Sequence, residues 1–292
     1  MEKNKMREKY FTKIKWRRLF IWLIVYIILF TCMDVFVIEN STEKEIDFYF
    51  KMGFHVTVFM WILYSFRKNN LSIKAVIFHP RKEKSSWGKY VFLELLGDLI
   101  AVTLLFFIIL IIALNSESLI QEIINSDSEV GDSTFFIGSL FVTILVAPIV
   151  EELLFRGILF NKWSESLGAK KALFLTSFLF GVFHIGSSPI FIGQLLAGFL
   201  FCLVYMRTKS LVLPILLHIG NNCISSLGML INVGDDTSTL DIALMLSQMK
   251  VAAIISGVIL LILVPIYSFF MYKLYKTTKM EIPYHVNVKN YN

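Results

Sequence analysis

The sequence predicts an all-α fold, a polytopic membrane helix bundle of about eight transmembrane helices. Composition points there first: 56% of the 292 residues are hydrophobic and only 17% charged, where soluble domains carry about 25% charged residues. The apolar residues are also gathered into stretches near the ~20 residues that a bilayer span needs. Finally, basic residues crowd alternate connecting segments, as the positive-inside rule requires.

The eight stretches are 19–38, 48–66, 91–114, 135–157, 172–187, 190–206, 210–231 and 250–272. The first follows a basic flank, but it is long and no small-residue cleavage site follows, so it is expected to be retained as a helix. Lys51 and His55 interrupt the second, the weakest of the set. The fourth lies in FFIGSLFVTILVAPIVEELLFRGILF (135–160) and carries Glu151, Glu152 and Arg156. The fifth is short, which predicts tilt or shielding by protein.

Of 28 basic residues, 25 fall in the tail up to Arg18, in 67–90, in 156–171, at Arg207 and Lys209, and in the tail from Lys273. The alternate loops hold Lys44, Lys51 and Lys250 and are otherwise acidic, with Glu39, Glu117, Asp127 and Asp235 among their residues. Both termini are therefore expected in the cytoplasm. The basic excess is read as orientation and contact with anionic lipids, with no nucleic-acid partner. Cys32, Cys202 and Cys223 are scattered and form no CxxC pair, so neither a disulfide framework nor a thiolate metal site is expected. Four units follow: a basic tail (1–18), N-terminal spans (19–134), a core holding the ionisable groups (135–231), and a last loop, span and tail (232–292).

A charge at the centre of a lipid-exposed helix costs about 2.5–3.5 kcal/mol, so intramembrane ionisable residues mark functional sites by default. Helix four brings Glu151, Glu152 and Arg156; helix five reads FGVFH and ends on His184; helix seven reads HIGNN and carries His218 and Asn222. The i,i+4 spacing puts His218 and Asn222 on one face. At ~1.5 Å per residue, Glu151 is expected ~9 Å from a helix end near 157, His184 and Asn222 ~18 Å deep, and His218 ~12 Å deep. These depths overlap, so one cavity could hold all of them.

Such a set supports hydrolysis. A carboxylate takes a proton from water, an imidazole positions that water, and a second imidazole with an amide donates to an oxyanion. Alternatively, Glu151, His184 and His218 hold zinc, which acidifies bound water. Structural roles stand beside these: a Glu152–Arg156 ion pair that fixes packing, and Asn222 as interhelical glue. Asp34, Glu94 and Asp98, in or near helices one and three, are expected to pair with basic residues near the interface. His79 and His285 lie in expected cytoplasmic segments and carry no signal.

EELLFRG (151–157), FGVFH (180–184) and HIGNN (218–222) resemble, in order and on separate helices, the three motifs of the CPBP family. That family includes CAAX prenyl endopeptidases and bacteriocin-processing and immunity homologues. The resemblance covers about 135–231 and leaves the first three helices outside it. It implies an intramembrane endopeptidase with Glu151 as water-activating glutamate, His184 as its partner, His218 and Asn222 as the oxyanion pair, and Glu152 and Arg156 in support. No cofactor is favoured, and zinc stays the alternative. The implied partners are a peptide or membrane-associated protein substrate and the membrane lipids: a prenylated CAAX peptide, a bacteriocin leader or a signalling peptide. A non-catalytic immunity or scaffold protein and a proton-coupled transporter are the competing functions, although no paired broken helices in matching halves speak for a transporter.

Overall fold

In hydrocarbon every backbone N–H and C=O must find its partner inside its own segment, so long apolar stretches fold as helices. The computed structural model describes residues 9–37, 43–79, 87–116, 133–185, 191–230 and 242–291, with the backbone alone at 34–37, 43–44, 133–136, 227–230, 242–245 and 291. All regular elements among these residues are helical. They are α1 (Trp16–Val37), α2 (Glu43–Lys68), α3 (Ile73–Ile77), α4 (Gly88–Leu114), a helical run α5 over 133–167, α6 (Ala169–Phe183), α7 (Phe191–Thr208), α8 (Val212–Leu230), α9 (Ile242–Thr277) and α10 (Pro283–Tyr291). The acidic positions Glu39, Glu117, Asp127 and Asp235 lie outside the described residues, as does the side chain of Asp34.

Helices stand at all eight expected stretches. Six of them, α1, α2, α4, α5, α7 and α9, are long and apolar enough to cross a membrane. Of the other two, α6 has 15 residues, and α8 has 19, with side chains described as far as Ser226. Both are sheltered by neighbours: α6 packs along α7, and α8 against α4, α5 and α7. α7 is the central post, with half of its most apolar window buried against 6% for α1 and 11% for α9. The outer helices turn Ile24, Ile28, Leu261 and Phe269 outward, as expected of lipid-facing surface. The all-α, multi-pass membrane architecture follows.

One expectation is corrected. Helix four does not end near 157; it runs on to Leu167. The added piece, NKWSESL, is polar on one side and so reads as loop when apolar runs alone are counted. It is helical because it is tied down. Lys162 Nζ donates to the carbonyls of Phe11, Thr12 and Ile14 at 3.3, 2.9 and 2.9 Å. Glu165 accepts the backbone N–H groups of Tyr10, Phe11 and Thr12 at 2.9, 2.8 and 3.0 Å.

Glu165 also meets His285 Nε2 at 2.8 Å, and Asn287 donates to the carbonyls of Ala75 and Lys209, both at 2.7 Å. His79 Nδ1 lies 2.8 Å from Asn287 Oδ1. These bonds join the 9–14, 72–79, 161–168, 207–211 and 278–291 segments at one end of the bundle. They are the segments in which the basic residues concentrate, so those segments share a side. His79 and His285, silent in the sequence, are structural members of this clasp.

Candidate active site

The site begins with the backbone of α5. Residues Val142–Val146 form a π-helical turn in which Ala147 N–H bonds five residues back, to Val142 O. In that register the next donor would serve Thr143 O, but the next residue is Pro148, which has no N–H. Asn222 Nδ2 of α8 fills the gap, donating to Thr143 O at 2.7 Å. A second π-helical stretch, Leu153–Phe160, follows Glu152, and Asn161 Nδ2 caps the carbonyls of Arg156 and Gly157 at 3.0 and 2.9 Å. Such bulges occur often at functional sites. Here Glu151 and Glu152 occupy the ordinary α-helical turn between two of them.

Adjacent residues on a helix point about 100° apart, so the two glutamates have different surroundings. Glu152 is fully buried. Its Oε1 accepts from Arg156 at 2.7 Å and meets His218 Nδ1 at 3.1 Å. Arg156, also fully buried, donates to Gly198 O at 3.0 Å and lies 4.4 Å over the Phe180 ring and 5.4 Å from that of Phe201. The ion pair expected at i,i+4 is thus present, completed by a carbonyl and two aromatic faces. Gly198 permits the close approach of α7. A Cβ there would meet Ser177 O at 3.1 Å and the Phe180 ring at 3.2 Å.

Glu151 is one-fifth exposed and faces imidazoles. Its Oε2 lies 3.5 Å from His184 Nε2 and 3.9 Å from His218 Nε2, and its Oε1 lies 3.7 Å from His55 Nε2. The other nitrogen of each ring is committed. His184 Nδ1 is 2.7 Å from Phe180 O, and His55 Nδ1 is 2.7 Å from Lys51 O. A carbonyl can only accept, so both Nδ1 atoms carry a proton. The Glu152 carboxylate fixes His218 Nδ1 in the same way. All three rings therefore present Nε2 to one carboxylate. Glu151 Oε2 is itself buried and makes no hydrogen bond among the described residues, although buried polar atoms nearly always do.

The structure brings Glu151, His184 and His218 together, sets Glu152 and Arg156 behind them, and bonds Asn222 to the α5 backbone at Thr143, eight residues before Glu151. The depth derived for Glu151 from a helix end near 157 does not hold, because that helix continues to Leu167. Glu94 and Asp98 pair with no basic residue among those described. Asn221 Nδ2 of α8 donates to Glu94 Oε1 at 2.7 Å and to Asp98 Oδ1 at 3.1 Å. Their partner is an amide because α4 packs on α8, where Glu94 is buried and Asp98 half-buried. Sequence reasoning gave His55 no role beyond weakening a span. The available signal was a titratable ring inside an apolar helix. Among the described residues no group of three His, Cys, Asp or Glu is placed to hold a metal ion.

With the geometry in hand, comparison with known proteins is informative. Residues 133–224 match the model of the family described as type II CAAX prenyl endopeptidase Rce1-like. The chain is also similar to "Putative membrane peptidase YdiL" of Bacillus subtilis (strain 168), 32% identical over 83 residues. That match covers 28% of this chain and 34% of the relative, so it spans about a third of the relative's length. No solved structure matches. The matched segment, less than half of this all-α, multi-pass membrane chain, contains Glu151, Glu152, Arg156, His184, His218 and Asn222, so the core that holds them is similar to the Rce1-like CAAX prenyl endopeptidase family.

Proposed function

We propose that the chain is an intramembrane endopeptidase that cleaves a peptide or membrane-associated protein with water activated by Glu151 and His184. One observation carries this: a buried carboxylate oxygen, Glu151 Oε2, without a hydrogen bond among the described residues and flanked at 3.5 and 3.9 Å by the Nε2 atoms of His184 and His218. A water between those three atoms would give Glu151 Oε2 a hydrogen bond. Glu151 accepts the water's proton as oxygen attacks the peptide carbonyl, and His184 holds the water's second site. The tetrahedral oxyanion is met by His218 and Asn222. As the C–N bond breaks, the proton taken by Glu151 passes to the leaving amine, which closes the cycle.

Two structural details qualify the roles of the donors. His218 Nδ1 is held by Glu152, so His218 donates from Nε2 only as the imidazolium, and the Glu152 carboxylate beside it is the counter-ion for that form. Asn222 donates one N–H to Thr143 O, and its –NH2 has a second hydrogen for the oxyanion. The mechanism uses no metal.

The test compares membrane peptides by mass spectrometry in cells expressing wild type or Glu151→Ala. Peptides that appear only with wild type support the reading; identical peptide pools overturn it. Elemental analysis of active protein decides the metal question. Stoichiometric zinc, lost with activity on chelation and restored with it, would make Glu151, His184 and His218 metal ligands instead.

We place both termini in the cytoplasm, on the basic-residue pattern and on the clasp that joins the basic segments at one end. Labelling of a cysteine introduced at 127 from outside intact cells is expected; labelling only after permeabilisation would reverse the orientation.

A further inference from the structure

His55 lies on α2, outside the family-matched segment and among the helices that the resemblance leaves aside. We propose that it is a positioning residue of the proteolytic site, holding Oε1 of Glu151 so that Oε2 stays directed between His184 and His218. The inference rests on the peptidase reading above and adds a residue to it.

The geometry repeats that of His184. Each ring returns its Nδ1–H to the carbonyl four residues back in its own helix, at 2.7 Å in both cases. Each is thereby left with Nε2 toward Glu151, at 3.7 Å for His55 and 3.5 Å for His184. Two rings built alike approach opposite oxygens of one carboxylate. The Lys51 side chain does not compete for the site, because it pairs with Asp47 at 2.7 Å. His55 is itself buried, at 9% exposure, and α2 packs along α5 beside the Ala147–Glu152 turn.

A carboxylate needs such a contact. Its terminal torsion is broad and two-fold, so imidazoles on Oε2 alone leave the group free to rock. A ring on Oε1 fixes its plane. Because His55 Nδ1 is committed to Lys51 O, the contact with Glu151 closes when one proton lies between Nε2 and Oε1. A donor at the Nε2 position is therefore the feature to preserve or remove.

Two amide substitutions separate the two ends of the ring. In His55→Gln the amide nitrogen reaches the position of Nε2. In His55→Asn the shorter side chain reaches only the position of Nδ1 and the Lys51 carbonyl. The substrate is first taken as a peptide whose cleavage in cells is lost in Glu151→Ala. Purified full-length wild type, His55→Gln, His55→Asn and His55→Leu in proteoliposomes are then compared on that peptide for kcat and KM, with folded yield measured alongside.

A misplacement of about 1 Å at a reacting group costs on the order of 10²-fold in rate. His55→Leu and His55→Asn are thus expected to lose about 10–100-fold in kcat with KM within about twofold, and His55→Gln to recover most of the loss. Wild-type kcat in His55→Leu, or equal kcat in the two amide variants, overturns the proposal. If His55→Leu does not fold, the comparison of His55→Gln with His55→Asn alone decides. If no peptide depends on Glu151, the peptidase reading itself fails and this role falls with it; if Glu151→Ala is inactive and the His55 variants are not impaired, only the role of His55 is lost.

Discussion

Two pairs of carboxylates lie within this bundle, and they are built differently. Glu151 and Glu152 on α5 meet a fully buried guanidinium and three imidazoles. Glu94 and Asp98 on α4 share one amide, that of Asn221. The two clusters meet across α8, where the neighbouring residues Asn221 and Asn222 bond to different helices. Asn221 serves Glu94 and Asp98, and Asn222 serves the α5 backbone at Thr143. The contrast teaches that acidic residues in an apolar helix do not by themselves define a catalytic site. What distinguishes the α5 pair is a set of neighbours that can carry, give and take protons around an unsatisfied oxygen. The α4 pair has only a neutral donor.

The largest expected effect falls on Glu151. Glu151→Ala removes the proton acceptor and the group that all three imidazoles face, so peptide release should drop to background while the protein still folds. Its side chain is partly exposed and makes no strong structural bond. Loss of folded protein in step with activity would assign Glu151 to the scaffold instead. No comparable loss of activity is expected from neutralising either α4 carboxylate.

Next comes the pair behind it. Removing one partner of a buried ion pair costs about 3–5 kcal/mol, because the other charge is left without its partner. Arg156→Ala leaves Glu152 facing only His218 and takes away the cation stacked between Phe180 and Phe201. Thermal unfolding in detergent should show a markedly less stable protein, with a lower folded yield. Wild-type stability would contradict a buried charge pair as the frame of the site.

What the sequence made legible follows from range. Glu151, Glu152 and Arg156 sit within six residues, and His184 and His218 each carry a nearby motif partner, so the candidate residues could be picked out from short spacings on apolar helices. The helices themselves were legible because membrane spans announce their length and composition. His55 was not, because its partner Glu151 lies far along the chain and its own helix is weakened by the residues that make it useful. The partner of the α4 carboxylates was misjudged for a related reason: nothing in local sequence says which face of α8 meets α4. The π-helical turn at Val142–Val146 was equally hidden, although Pro148, which explains why Thr143 O needs Asn222, stood in plain view. The helical extension to Leu167 was missed because long-range bonds to residues 10–14, not apolar periodicity, hold it.

Asn222 offers a sharper cut between the clusters, since its neighbour Asn221 is chemically identical. Asn222→Ala removes the donor to Thr143 O and, in the proposed mechanism, one oxyanion donor. Loss of one such donor typically lowers the rate by ~10²–10³. Faint, Glu151-dependent cleavage should remain, with KM little changed. Asn221→Ala should spare catalysis and register in stability, since it leaves Glu94 and Asp98 without their shared donor. If the two variants behaved alike in turnover, the division of α8 into a catalytic face and a structural face would be wrong.

The smallest effect is expected where the two pairs are treated identically. Glu94→Gln keeps an oxygen of the same reach, so Asn221 Nδ2 retains an acceptor at the 2.7 Å position, and no cation among the described residues is left unpaired. The change should alter stability by less than about 1 kcal/mol, the size of one ordinary hydrogen bond. It should also leave peptide turnover near wild type. Glu152→Gln is the same chemical change made on α5, where it takes the counter-charge from a fully buried Arg156. There the cost should approach the ~3–5 kcal/mol of a broken buried pair, and His218 Nδ1 should lose its carboxylate partner. Parallel thermal melts of the two variants in one detergent, with turnover on the same Glu151-dependent peptide, measure the contrast directly. Equal destabilisation would mean that burial alone, and not the charge of the neighbours, sets what a carboxylate does in this bundle.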